Sequence, residues 1–203
     1  MSKLLVATHN QAKLNEIKQF LAPLLPHVQI VSLANLDIKN EPRETGKTFK
    51  ENAQLKAEYY GTISKLPTLA DDGGLVIDAL GGEPGINSNR WLGRRGSDKE
   101  LVSYCLSRMM NIADNKRTAR FETCIYFYDL DKNRRIYQSG TVEGSISQKS
   151  SRKMQLGYPY RSIFIVSKFG KLYLDLSEKE HAQINHRYQA LNRIAQKLKT
   201  WYN

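Results

Sequence analysis

The sequence predicts an α/β fold built on a mixed β-sheet flanked by helices, and two observations carry that prediction. Short apolar runs of strand length interleave with stretches whose apolar residues recur at helical spacing. Two long strand-like segments also follow one another with only a turn between them, which adds an antiparallel portion.

The elements read in order as follows. Residues 3–8 (KLLVAT) form an apolar strand. After a polar junction, Leu14, Ile17 and Leu21 fall on one face of a helix. Residues 28–33 (VQIVSL) are a second strand. Thr48 followed by Glu51 has the spacing of a capping box and opens a helix expected to end at Gly61. Ser97 and Glu100 repeat that device ahead of residues 101–110 (LVSYCLSRMM). Residues 120–130 (RFETCIYFYDL), dense in β-branched and aromatic side chains, are the clearest strand, and Asp131 and Asn133 turn it into 134–138 (RRIYQ). Leu191, Ile194, Ala195 and Leu198 mark the apolar stripe of a last helix.

At 203 residues the chain suits one ordinary domain or two small lobes, burying roughly 70% of the unfolded surface at this size. Its 40% hydrophobic content is too high for a disordered polycation. No segment approaches the ~20 apolar residues of a membrane helix, and the first residues are too polar for a signal peptide, so a cytoplasmic protein is expected. Cys105 and Cys124 are the only cysteines, which excludes a disulfide scaffold and a CxxC metal site. The formal charge is +11. Residues 1–100 hold 13 basic and 12 acidic side chains, and residues 101–203 hold 18 and 8, so +10 of it lies in the second half. Such a field points to a polyanionic partner.

Three polar clusters can carry chemistry. Asp71-Asp72-Gly73-Gly74 follows a short apolar run. In a strand, adjacent carboxylates point to opposite faces, and oxygen ligands at a strand end suit Mg²⁺. The same residues also read as a polar turn with Asp side chains capping amides. Thr8-His9-Asn10-Gln11-Ala12-Lys13 sits where a strand passes into a helix, a place that attracts phosphate; Lys13 in a first helical turn opposes the helix dipole unless an anion is near. Capping by Thr or Asn is the plainer reading. His186-Arg187 stands just before the last helix, where imidazole and guanidinium could grip a base edge or phosphate. His181 and His186 lack a third ligand for zinc. Gly46-Lys47-Thr48 is not a P-loop, because position 41 is Glu.

Taken in order, these stretches resemble the inosine triphosphatase family, the pyrophosphatases of deaminated purine nucleotides. Thr8, Asn10, Lys13 and Glu16 fall on its T-x-N-x-x-K-x-x-E. Glu44, Thr45, Gly46, Phe49, Glu51, Asn52, Ala53, Lys56 and Ala57 fall on E-T-G-x-x-F-x-E-N-A-x-x-K-A. Ala70 to Asp72, Gly74, Leu75, Asp78 to Gly82, Pro84, Gly85 and Ser88 fall on A-D-D-S-G-L-x-V-D-A-L-G-G-x-P-G-x-x-S, and His186, Arg187, Ala190 and Leu191 on S-H-R-x-x-A-L. The resemblance implies one domain over residues 1–203, an elongated mixed sheet in two lobes with a central nucleotide cleft. It implies hydrolysis of ITP, dITP or XTP by water attacking the α-phosphorus. Carried over, Glu44 and Asp72 hold Mg²⁺, Asp72 orients or deprotonates the water, and Asp71 supports them. Lys13 and Lys56, with Thr8 and Asn10, bind the triphosphate, and His186 and Arg187 contact the purine. A homodimer is expected by the same resemblance.

Several positions depart from the pattern. Gly73 replaces a Ser. The block G-F-G-Y-D-P-I-F reads Gly157, Tyr158, Pro159, Tyr160, Arg161, Ser162, Ile163, Phe164, so Tyr158 and Tyr160 keep aromatics for the ligand while Arg161 reverses a charge. His181 stands for a phosphate-binding Lys and is mostly neutral near pH 7, and Asn185 stands for a Ser. An active enzyme with shifted preference and a dITP sensor that signals through a partner protein both accommodate these changes. Nucleic-acid binding through Arg117, Arg120, Arg134, Arg135, Lys149, Arg152 and Lys153 is the weakest reading, since these residues are dispersed and a charge excess is usually a solvated face.

Overall fold

A computed structural model describes residues 2–202. Strand β1 (Ser2–Ala7) leads through helix α1 (Gln11–Leu21) to β2 (Val28–Ser32). Helix α2 (Phe49–Ser64) precedes β3 (Thr68–Ile77), and helix α3 (Asp98–Arg108) precedes the long strands β4 (Thr118–Asp129) and β5 (Arg134–Ile146). Short strands β6 (Phe164–Val166) and β7 (Lys171–Leu172) follow, then helices α4 (Glu178–Ile184) and α5 (His186–Tyr202). The seven strands form one sheet in the order β2-β1-β3-β4-β5-β6-β7. β1 runs parallel to β2 and β3, whereas β6 pairs antiparallel with β5 and β7, so the sheet is mixed as the sequence predicts.

The chain divides into two compact units. One comprises Met1–Asp72, Thr123–Gly140 and Arg187–Asn203, the other Gly73–Glu122 and Thr141–His186. The first unit has apolar clusters on both faces of its strands, and strand alternation sorts them. Leu4, Val6, Leu69, Ile125 and Phe127 pack with α1 and α5 through Leu14, Ile17, Leu21, Leu191, Ile194, Ala195 and Leu198. Leu5, Ala7, Ala70, Cys124, Tyr126 and Tyr128 pack with α2 through Ala53, Ala57 and Tyr60. Both helical stripes read from the sequence are therefore buried, at 0–6% exposure. The second unit is organised around Leu75, Ile77, Leu101, Cys105, Met109, Phe121 and Phe164.

Several local expectations change. Asp71-Asp72-Gly73-Gly74 is no turn, because β3 runs straight through it. Thr48 caps α2 by accepting from Glu51 N, but the Glu51 carboxylate accepts from Lys47 N rather than closing the reciprocal box; Ser97 and Glu100 do close theirs. Helix α2 passes Gly61 and ends at Ser64, with Lys65 supplying the left-handed cap at φ 57°. His186 and Arg187 open α5 instead of preceding it. The basic residues are also largely accounted for locally. Arg117 is buried and donates to the carbonyls of Met109, Ile146 and Ser147, Arg120 pairs with Glu122 and Asp78, Arg135 with Glu58, and Lys153 with Asp175.

Candidate active site

Strand alternation decides what the two adjacent carboxylates meet. Asp71 has the parity of Leu69 and so lies on the α1/α5 face. Asp72 has the parity of Ala70 and lies on the α2 face. Their partners follow. Asp71 Oδ2 pairs with Lys13 Nζ of α1 at 2.7 Å and accepts from Arg187 NH2 of α5 at 3.3 Å. Its Oδ1 accepts from Arg187 Nε at 3.2 Å and from the Thr123 hydroxyl. Arg187 also donates to Glu16 Oε2 at 2.7 Å, which ties α1, β3 and α5 into one buried network. Burial alone would raise the Asp71 pKa, but Arg187 and then Lys13 outweigh it and hold this carboxyl far below the usual range.

Asp72 meets a different environment. Lys56 Nζ, on α2, lies 2.6 Å from Asp72 Oδ1 and 2.6 Å from Glu44 Oε1. Asp72 Oδ2 is buried and meets no hydrogen-bond donor. Desolvation dominates here and raises the Asp72 pKa, against the opposing pull of Lys56 and Lys13. Lys56 loses stabilisation by burial, yet Asp72 and Glu44 more than restore it and push its pKa up. Lys56 is thus shared between two carboxylates.

The junction before α1 is a capped helix start. Asn10 Oδ1 accepts from Ala12 N at 2.9 Å and Lys13 N at 3.1 Å, and Thr8 Oγ1 accepts from Asn10 N at 3.1 Å. The anion that a first-turn Lys13 calls for is supplied within the chain by Asp71. A neighbouring contact was not legible in the sequence. Tyr60, one turn beyond Lys56 on α2, donates its hydroxyl to Asn40 O at 3.0 Å. That hydroxyl has one proton, so His9 Nε2, 3.2 Å away, is the donor to it. Glu16 lay on a recognised motif without a role, and Thr123 carried no sequence signal beyond strand alternation.

The remaining candidates lie in the second unit, apart from Arg187. Gly73 is half-buried in β3. The Arg161 guanidinium lies over two rings, 3.7 Å from the Tyr158 centroid and 4.6 Å from that of Tyr173, and donates to Gln155 Oε1 at 3.0 Å. One face of Tyr158 is thus already covered, and the reversed charge at 161 is accommodated by aromatic rings. Tyr160 is buried and donates to Ser88 O at 2.7 Å. His181 Nε2 lies 3.1 Å from the Tyr173 hydroxyl, and the buried His186 ring stacks on Phe121 at 5.7 Å.

Glu44 and Asp72 fit a hard divalent cation. They are oxygen donors that already share a cation in Lys56, and Asp72 Oδ2 is an acceptor without a donor. Among the described residues no group of three or more His, Cys, Asp or Glu side chains gathers as a metal cage. Two carboxylates suit Mg²⁺, which takes one or two of them together with water and substrate phosphates.

The family model of the Ham1 family matches residues 4–197. A protein of Thermus thermophilus named dITP/XTP pyrophosphatase is 38% identical over 97% of this chain and 92% of its own length. One of the same name from Bacillus subtilis is 35% identical over 98% of each. Among solved structures, the Ham1 protein of Staphylococcus aureus superposes with a TM-score of 0.83 at 32% identity, covering 98% of this chain and 99% of that one. A HAM1 protein from Coxiella burnetii gives 0.85 at 30%, covering 98% and 100%. On the family match, the near full-length identity and the shared fold, this chain belongs to the Ham1 family.

Proposed function

We propose that this protein is a nucleoside triphosphate pyrophosphatase that acts on deaminated purine nucleotides (dITP, ITP and XTP) and depends on Mg²⁺ held by Glu44 and Asp72. The observation that carries the reading is Asp72, a buried carboxylate with one oxygen on Lys56 and the other without a donor. The relatives named dITP/XTP pyrophosphatase support the substrate class.

Water attacks the α-phosphorus: its oxygen forms the new P–O bond, the bond to the bridging α–β oxygen breaks, and pyrophosphate leaves. Asp72 orients that water and accepts its proton at Oδ2. When bound, the divalent cation neutralises phosphate charge and polarises the phosphoryl oxygens. Lys56 and Lys13 contribute positive charge to the triphosphate, and Asn10 caps the first turn of α1, on which Lys13 stands. Asp71 positions Lys13 through their ion pair. Tyr158, Tyr160, Arg161, His186 and Arg187 serve the purine, and Gly73 and His181 line the ligand. Groups that donate to a 6-oxo oxygen reject a 6-amino group, which would leave them unmet. A homodimer belongs to this reading.

The test is pyrophosphate release and nucleotide binding with Mg²⁺ and dITP, ITP, XTP or dATP. Rapid release from the 6-oxo substrates, cut about 10²–10⁴-fold by Asp72→Asn, is expected for loss of a general base. Tight dITP binding without release would replace the enzyme by a nucleotide sensor.

A further inference from the structure

We propose that Tyr60 and Asn52 are positioning residues that pin the strap carrying Glu44 along one side of α2, and so set the affinity of that carboxylate for a divalent cation. This rests on the reading of Glu44 as a metal ligand.

Glu44 lies on a segment without a scaffold of its own. Residues 38–46 form neither helix nor strand, so no backbone ladder fixes them, and ordering each one costs conformational entropy. What fixes them is α2. Asn52, Lys56 and Tyr60 recur at every fourth position, so they stand one above another on the helix. Each meets the strap at a different point. Asn52 Oδ1 accepts from Gly46 N at 2.9 Å, Lys56 Nζ lies 2.6 Å from Glu44 Oε1, and the Tyr60 hydroxyl donates to Asn40 O at 3.0 Å. The strap therefore runs antiparallel to the helix, with Glu44 between two fixed ends.

Further contacts tighten both ends. Glu51 Oε2 accepts from Lys47 N at 2.6 Å. A Cβ on Gly46 would stand 2.6 Å from Asn52 Oδ1 and 2.9 Å from Asn52 N, so only a residue without a side chain lets the strap lie this close. At the other end His9 Nε2 donates to the Tyr60 oxygen from 3.2 Å, which leaves the hydroxyl proton for Asn40. Asn52 and Tyr60 are themselves buried, so packing holds the groups that hold the strap. Lys56 by contrast reaches Glu44 on a flexible four-carbon stem. A carboxylate fixed beforehand binds a metal without a further ordering cost, whereas a loosened strap would be ordered at the expense of affinity.

The test reads metal binding and strap exposure rather than turnover. Tyr60→Phe deletes the hydroxyl and keeps the ring in its apolar cluster. Gly46→Ala forces the other end away from the helix. Tyr59→Phe, at the neighbouring position of α2, is the matched control. Circular dichroism in urea verifies that each full-length variant is folded. Mn²⁺ binding to the nucleotide-free chain is titrated by electron paramagnetic resonance. Tyr60→Phe and Gly46→Ala are each expected to weaken it about 3–10-fold, the worth of one lost hydrogen bond, and Tyr59→Phe to leave it unchanged. Trypsin gives the second readout, since Lys39 and Arg43 are exposed on the strap. Cleavage after them in the folded, metal-free chain is expected to accelerate several-fold in the same two variants alone. Unchanged Mn²⁺ affinity or unchanged cleavage in either folded variant overturns the proposal, and so does an equal loss in Tyr59→Phe. Glu44→Gln tests the underlying assignment separately. No Mn²⁺ bound by wild type, or binding that Glu44→Gln leaves intact, overturns the metal reading and the proposal with it. If Glu44→Gln removes the binding while Tyr60→Phe and Gly46→Ala retain it in full, the positioning role alone fails.

Discussion

Replacing Arg187 with Met removes a guanidinium from the centre of the first unit. Its side chain is 3% exposed and reaches two carboxylates, Asp71 at 0% and Glu16 at 8%. With Lys13 the four formal charges sum to zero, and without Arg187 they sum to −1 in a buried setting. Asp71 keeps Lys13 and Thr123, while Glu16 loses its 2.7 Å contact with Arg187. Breaking one partner out of a buried ion pair costs about 3–5 kcal/mol. For a chain of this length that corresponds to a fall in Tm of roughly 6–20 °C. The assay is urea unfolding at pH 7 by circular dichroism, with the m-value monitored to verify that the same surface is exposed. The double variant Glu16→Gln/Arg187→Met restores neutrality and is expected to recover about 1 kcal/mol or more as coupling between neighbours. A single variant that loses less than about 1 kcal/mol, or a double variant that recovers nothing, refutes the reasoning. Arg187 would then act without a share in the fold.

Gly74→Ala would drive a methyl against Gly85 O at 2.6 Å and Ser88 Cβ at 2.9 Å, displacing a Ser88 hydroxyl that donates to Gly85 O and accepts from Leu75 N. Overpacking and a lost buried hydrogen bond together predict about 2–4 kcal/mol of destabilisation in urea, and a loss below about 0.5 would refute it. Asp71 predicts a pH dependence. Its folded-state pKa lies below the unfolded value of about 3.9, so its contribution is complete above that value and is lost as pH falls toward the folded one. Stability followed from pH 6 to pH 3 should therefore fall more steeply in wild type than in Asp71→Asn, and equal slopes would contradict the assigned environment.

Element order and type were legible because their signals are local. Leu14, Ile17 and Leu21, and later Leu191, Ile194 and Leu198, show a period of 3.6 within single helices, and all six are buried. The Ser97–Glu100 box needs only four consecutive residues. Local reading failed where a tertiary partner changes the outcome. Asp-Asp-Gly-Gly has turn composition, yet β3 continues through it because Leu69 and Ala70 on one side and Leu75 and Ile77 on the other are buried in apolar clusters. Tertiary packing overrides propensity in such a case.

The sequence by itself determined the family resemblance, the mixed α/β architecture and the types of residue that gather at the site: two lysines, three carboxylates and an arginine. The tertiary structure alone decided who pairs with whom. Lys13 pairs with Asp71, Arg187 meets Glu16 from 171 positions away, and Lys56 bridges Glu44 and Asp72. Strand alternation could announce that Asp71 and Asp72 face opposite ways. Which partners each carboxylate meets depends on which helices pack on its face, and that is set by the burial of apolar stripes far apart in the chain.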